Sequence, residues 1–258
     1  MKNRLPPTLA AFALAFASAG SMAAPIFWTD WATATGTAGF TANGTITTTT
    51  STVNVTYNNP QGVAFFQNGT SGETDWWTNG FFSSTRNPAR SAYTSALVDN
   101  IPTGTDMIGL TNAGMQSLHF SVAIANPVFS YISLNGNGYS FDQDFDILSF
   151  GDGTVRDTGF WGAGTSFKNV VDLGGGQFEY QLLGTGEPHG TIRFRGTFQD
   201  VSWNSLTNEN WNGFTVGVQG TAAEVFPTDP NGVPEPGTLA LLGLGLASVA
   251  TLRRRKTV

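Results

Sequence analysis

Three carboxylates stand at alternate positions in FDQDFDILSFGDG (141–153): Asp142, Asp144 and Asp146, with Asp152 following in a turn. On a β-strand, residues two apart share a face and lie about 6.6 Å from one another. Four such groups drawn together would suit Ca²⁺, which takes several oxygen ligands. The spacing begins like an EF-hand loop, but the sixth position is Ile147 where that loop needs glycine, so that motif fails. The plainer reading is a solvated strand face. Mutual repulsion of three carboxylates without a counter-ion keeps Ca²⁺ in play.

A second set is Glu187 and His189 in GEPHGT (186–191), a pairing that can do general acid–base work. Pro188 and the flanking glycines make the stretch a turn, where a histidine is ordinarily exposed. The other histidine, His119, falls mid-strand, opposite an apolar face. No GxSxG elbow, HExxH pair or phosphate-binding glycine loop is present. No residue is assigned a catalytic role. A carboxylate-dependent hydrolase ranks last among the functional readings.

The third set is aromatic: Trp28, Trp31, Trp76, Trp77, Trp161, Trp203 and Trp211. Exposed indoles beside Asn and Asp stack against the C–H faces of sugar rings, so Trp76, Trp77 and Trp161 are the candidate ligand-binding residues. If Trp76 and Trp77 lie on a strand, one of them must face away from the core. For Trp203 and Trp211 the core reading is preferred.

These groups need elements to hold them, and the composition says which kind. Charged residues make up 12% of the chain, Gly numbers 32, Pro 12 and Cys 0. That is a turn-rich β-protein without disulfides or thiol chemistry. Asn-Gly pairs at 43–44, 68–69, 79–80, 135–136, 137–138, 212–213 and 231–232 are candidate tight turns. Period-2 alternation marks half-buried strands in SLHFSVAI (117–124), GTIRFRGTF (190–198) and GFTVGV (213–218). In GTIRFRGTF the alternation sends Ile192 and Phe194 inward and Arg193 and Arg195 toward solvent. PVFSYISL (127–134) and Phe145–Phe150 are apolar on both sides and read as central strands. The Thr-rich GTITTTTSTVNVTY (44–57), polar on both sides, reads as an exposed or edge strand. About ten to twelve strands fit a single antiparallel β-sandwich of jelly-roll type over 24–225.

The two ends are of another kind. Residues 1–23 have a basic start at Lys2 and Arg4, an apolar Leu9–Ala19 core and the small-residue site Ser21-Met22-Ala23. That is a secretory signal peptide for signal peptidase, cut after Ala23. Residues 226–233 form a Pro-rich linker. Beyond it come Pro234-Glu235-Pro236, an uncharged run from Thr238 to Leu252, and Arg253-Arg254-Arg255-Lys256. As a helix, 238–252 is about 22 Å long, short of a hydrocarbon core unless the bilayer thins and the arginines snorkel. The basic cluster stays cytoplasmic, and the body lies outside. Without the ends, the 12 basic residues fall to 6 and the 18 acidic ones to 17, a net charge near −11. A body this acidic repels nucleic acid phosphates.

The three-part tail over 234–258 resembles the PEP-CTERM sorting signal. The resemblance implies recognition of Pro234, Glu235 and Pro236 by an exosortase-type membrane enzyme in a Gram-negative bacterium, with 238–252 as a transient anchor. Such bacteria typically make exopolysaccharide. NPVFSYISLNG, GTIRFRGTF and ENWNGFTVGVQG are similar to β-sandwich domains often attached to that tail. The expected function is an exported surface or extracellular-matrix (biofilm) protein, structural or adhesive rather than catalytic. The alternative is an exopolysaccharide-binding module.

Overall fold

The computed structural model describes residues 24–78, 91–151 and 164–227. Residues 1–23, expected to be a signal peptide, Trp161, Asp152 and the tail at 234–258 lie outside the described residues, as does most of the expected linker. In chain order the first strands are β1 (Phe27–Trp28), β2 (Asp30–Thr35), β3 (Phe40–Thr47), β4 (Thr52–Asn59) and β5 (Phe65–Gln67). Next come β6 (Met107–Leu110), β7 (Gly114–Ala125), β8 (Val128–Ile132), β9 (Tyr139–Phe141) and β10 (Phe145–Phe150). The last are β11 (Gly164–Gly174), β12 (Gln177–Gly186), β13 (Gly190–Phe194), β14 (Thr197–Ser205), β15 (Asn212–Val218) and β16 (Gly220–Thr221). A one-turn helix, α1 (Ala222–Val225), closes the body.

The strands form two antiparallel sheets. A seven-stranded sheet runs β10-β13-β8-β15-β6-β5, with β1 beside β15. A nine-stranded sheet runs β11-β12-β9-β14-β7-β4-β3-β2, with β16 beside β7. From β6 onward the chain alternates between the sheets, except that β11 and β12 follow one another as a hairpin in the nine-stranded sheet. The resulting blocks, β6-β15-β8-β13 and β7-β14-β9-β12, are those of a jelly roll. The N-terminal strands widen both sheets at one side, and β10 and β11 widen them at the other.

Alternating side chains fill the space between the sheets. Trp203 sits at the centre, with ring centroids 5.1 Å from Phe214, 5.4 Å from Phe129 and 5.9 Å from Tyr57. The Thr-rich stretch contributes to this core. It folds as the β3–β4 hairpin inside the sheet, with Ile46, Thr48, Val53, Val55 and Tyr57 buried and most of its other threonines turned outward, so it is exposed on one face only and is not an edge strand. In β7, Val122 is exposed while Leu118, Phe120 and Ile124 are buried. The β7–β14 register jumps from His119↔Asp200 to Ile124↔Phe198, which takes the residues between out of phase.

Two other expectations change. Phe145–Phe150 is not central: β10 is the edge of the seven-stranded sheet among the described residues. And the middle of that sheet's outer face is covered rather than open to solvent. Trp77, Tyr93, Ile101, Met107 and Ile132 pack as a second cluster, and Ile26, Trp28, Val98 and Val128 as a third. Every residue of β8, β13 and β15 is therefore buried, including Arg193 and Thr191.

Candidate functional site

The acidic stretch does not form one strand face. β9 stops at Phe141 and β10 starts at Phe145, so Asp142 and Asp144 lie in the bend between them. Two of the carboxylates already have cations. Lys168 Nζ lies 2.7 Å from Asp144 Oδ1 and also donates to the Phe145 carbonyl at 2.9 Å. Asp146 Oδ2 accepts from Arg195 Nε at 2.7 Å and from Arg193 Nη2 at 3.0 Å. Partial burial opposes ionisation of Asp146, but the two guanidinium groups outweigh it and hold the carboxyl below its usual range. Thus Arg193, expected in solvent, is buried beside a counter-ion. Among the described residues no three His, Cys, Asp or Glu side chains gather as a metal centre.

Trp76 and Trp77 lie on a turn, not a strand. The Asp75 carboxylate takes the backbone N–H groups of Trp77 and Thr78 at 3.1 and 3.2 Å, which turns the chain inward. Trp77 is fully buried, edge-on to Tyr93 at 5.3 Å, and its indole donates to the Asp106 carbonyl at 3.1 Å. Trp76 is half-buried and packs on Trp211 at 5.1 Å, so Trp211 joins the outer layer rather than the inter-sheet core. Every described tryptophan is buried or half-buried, and neither Trp76 nor Trp77 stands out as an exposed platform.

Glu187 and His189 are in contact, but not as an acid–base couple. His189 is fully buried, and its Nδ1 meets the Glu187 backbone carbonyl at 2.7 Å rather than the carboxylate. The Glu187 carboxylate accepts from Ser133 Oγ at 2.9 Å and from the Asn135 amide. Ser133 takes a positive φ of 55°, unusual for a residue with a side chain. Close by, Glu209 accepts from Asn212 Nδ2 at 3.0 Å, and Asn212 Oδ1 in turn accepts the Tyr139 hydroxyl. Burial, with a smaller contribution from the charge of Glu187, pushes Glu209 up to about 8. That shift favours the protonated form of Glu209 at neutral pH. Sequence spacing did not reveal this carboxylate pair, because three separate loops bring it together at one end of the sandwich. The clustered Asn-Gly turns at 135–138 were the only local sign.

The second feature missing from the sequence reading is a slot of about 460 Å³. It opens where β9 ends while its neighbours β12 and β14 continue. Phe178 and Leu173 supply apolar surface, 43% and 60% exposed, beside Asp142, Ser140, Ser202 and Asn204. Buried Trp203 also lines it.

Residues 232–256 match the family model of the PEP-CTERM protein-sorting motif. Neither a curated protein nor a solved structure matches the chain. The chain is thus a PEP-CTERM-bearing protein: it is exported, anchored transiently in the membrane at its C-terminus, and processed by an exosortase, a membrane protein.

Proposed function

We propose that the sandwich is a surface or extracellular-matrix component of a Gram-negative bacterium, structural or adhesive rather than catalytic. The observation that carries this is the sorting motif at 232–256, joined to a strongly acidic, densely packed β-body. The arrangement around Glu187 and Glu209 supports a structural role for that pair, since Ser133, Asn135 and Asn212 spend their donors tying loops together. The decisive experiment compares intact masses of the cell-bound and released protein. Loss of Arg253-Arg254-Arg255-Lys256 from the released form is expected; its retention refutes the reading.

A second reading has an observation of its own. The slot beyond β9 sets exposed Phe178 and Leu173 among carboxylate, hydroxyl and amide groups, a mixture that suits a saccharide. It replaces Trp76 and Trp77 as the place for a sugar. Titration with polysaccharides, read through tryptophan fluorescence, tests it. A response lost in Phe178→Ser supports glycan binding, and no response at all removes it.

A further inference from the structure

The two edges of the nine-stranded sheet are finished differently. At the β2 edge, two backbone groups that point away from the sheet have side-chain partners. Asp106 Oδ1 takes the Trp31 N–H at 2.7 Å, and Asn68 Nδ2 donates to the Ala32 carbonyl at 3.2 Å. Those contacts close the edge to another strand. At the opposite edge β11 pairs only with β12 among the described residues, over the whole stretch from Gly164 to Gly174. It carries no proline, and its inward-facing cation, Lys168, is folded over the rings of Phe145 and Tyr180 of its own chain. Apolar side chains stand open among its polar ones: Phe167 is 47% exposed, Val170 49% and Leu173 60%.

The sequence of this edge is complementary to itself. When two copies of a strand pair antiparallel about a two-fold axis, residues equally far from the axis face each other. With the axis at Val170, Lys168 faces Asp172 of the second copy, and the same contact recurs on the other side of the axis; Leu173, which bulges from the β11–β12 ladder, lies beyond this paired stretch. Moving the axis one residue either way sets Lys168 against Val170 or Gly174 of the second copy and loses both charge pairs. Opposite charges directly across a ladder stabilise it, and like charges there disfavour it. Lys168 is already fixed by Asp144 and the Phe145 carbonyl, so its ammonium group is positioned before a partner arrives.

We propose that the outer edge of β11 docks a second copy of this chain, the two strands pairing antiparallel about Val170 and joining two nine-stranded sheets into one. This does not depend on the sorting or glycan readings. The partner is the same protein because the charge pattern, the Val170 pair at the axis and the open backbone edge fit their own two-fold image.

The chain has no cysteine, which gives a clean test in the full-length exported protein. Val170→Cys puts one thiol on each side of the axis, where directly opposed Cβ atoms of a non-hydrogen-bonded pair approach to about 4.5 Å, the upper end of disulfide geometry. This variant is expected to run at twice its mass without reductant and at single mass with it. Asn54→Cys, exposed on the outer face of β4, is expected to stay single. Adding Asp172→Lys to Val170→Cys opposes two like charges and is expected to cut the cross-linked fraction about tenfold. The proposal is overturned if Val170→Cys cross-links no faster than Asn54→Cys, or if Asp172→Lys changes nothing. Should the cysteine variant not reach the surface, sedimentation of the unmodified exported protein decides instead. A dimer that dissociates on dilution is expected, and a monomer at about 100 µM overturns the proposal.

Discussion

Glu224 accepts both the backbone N–H and the hydroxyl of Thr50, at 2.8 and 2.5 Å, across a sequence separation of 174 residues. The same carboxylate takes Thr48 Oγ1 at 2.9 Å and the Thr221 N–H at 2.7 Å, completing the capping box of α1. One side chain therefore fastens the end of the body to the β3–β4 turn, just before the chain continues to the sorting tail. The joint is a structural one, and it holds the body closed on the side from which the tail departs.

Acid is expected to open this joint. Slight burial opposes the charge on Glu224, but its hydrogen bonds outweigh that and bring the group down to about 2 from an ordinary value of 4.5. A depressed carboxyl contributes stability that is present above 4.5 and lost as pH falls toward 2. Glu224→Gln is expected to cost about 1 kcal/mol at pH 7, discounted for solvent screening, and to flatten the acid limb of Tm against pH. An unchanged acid limb would contradict the role given to this group.

Glu209 works in the opposite direction. Its group is raised from 4.5 to about 8, so the folded state holds a proton that the unfolded chain has already released. Stability is therefore full below pH 4.5, falls as pH rises through the window to 8, and is level beyond it. Glu209→Gln keeps the acceptor for Asn212 and carries no charge. It is expected to abolish the decline and to gain about 1–2 kcal/mol at pH 8, allowing for partial exposure, as read from denaturant midpoints. A loss of stability in Glu209→Gln at pH 8 would count against this.

Calcium is expected to leave the melting midpoint unchanged. Asp144 and Asp146 already face Lys168, Arg193 and Arg195, so the repulsion that argued for a bound ion is met by protein cations. Asp146→Ala is the informative variant, because it leaves the buried Arg193 guanidinium without this partner and is expected to cost about 2–3 kcal/mol. A midpoint that rises with Ca²⁺ and falls with chelator would instead restore the metal site.

The inner faces of the sandwich were legible in the sequence and the outer layer was not. Ile192 and Phe194, or Phe214, Val216 and Val218, alternate with residues that read equally well as solvent-facing. The structure shows why that choice misleads. Gly213 and Gly217 are small because the outer layer lies directly on them: a Cβ at Gly217 would come within 2.5 Å of Ile26, and one at Gly213 within 2.5 Å of Met107 Sδ. Period-2 patterning records size and polarity, not what a distant loop lays across the face. Likewise Glu187 and Glu209 each looked like ordinary loop acids, and only the jelly-roll winding brings their loops to one end. The three-part tail was legible because its meaning is carried by linear order and needs no partner from elsewhere in the chain.

Trp77 separates the core and ligand readings of the aromatic residues. Asp106 joins two tryptophans, taking the Trp31 N–H on its carboxylate and the Trp77 indole on its carbonyl. Trp77 thereby anchors the 91–106 segment, through Tyr93 and Ile101, onto Met107 and Ile132 of the seven-stranded sheet. Trp77→Ala is expected to cost about 3–5 kcal/mol by leaving a cavity under that layer, and Trp77→Phe about 1–2 kcal/mol with loss of the indole bond. Any glycan response of the protein is expected to survive in Trp77→Phe, because the slot beyond β9 lies on the nine-stranded sheet, away from this layer. Melting curves and a polysaccharide titration of that one variant give both readouts. A stable protein that has lost its glycan response would return Trp77 to the binding site, whereas a weakened protein that still responds places it in the core.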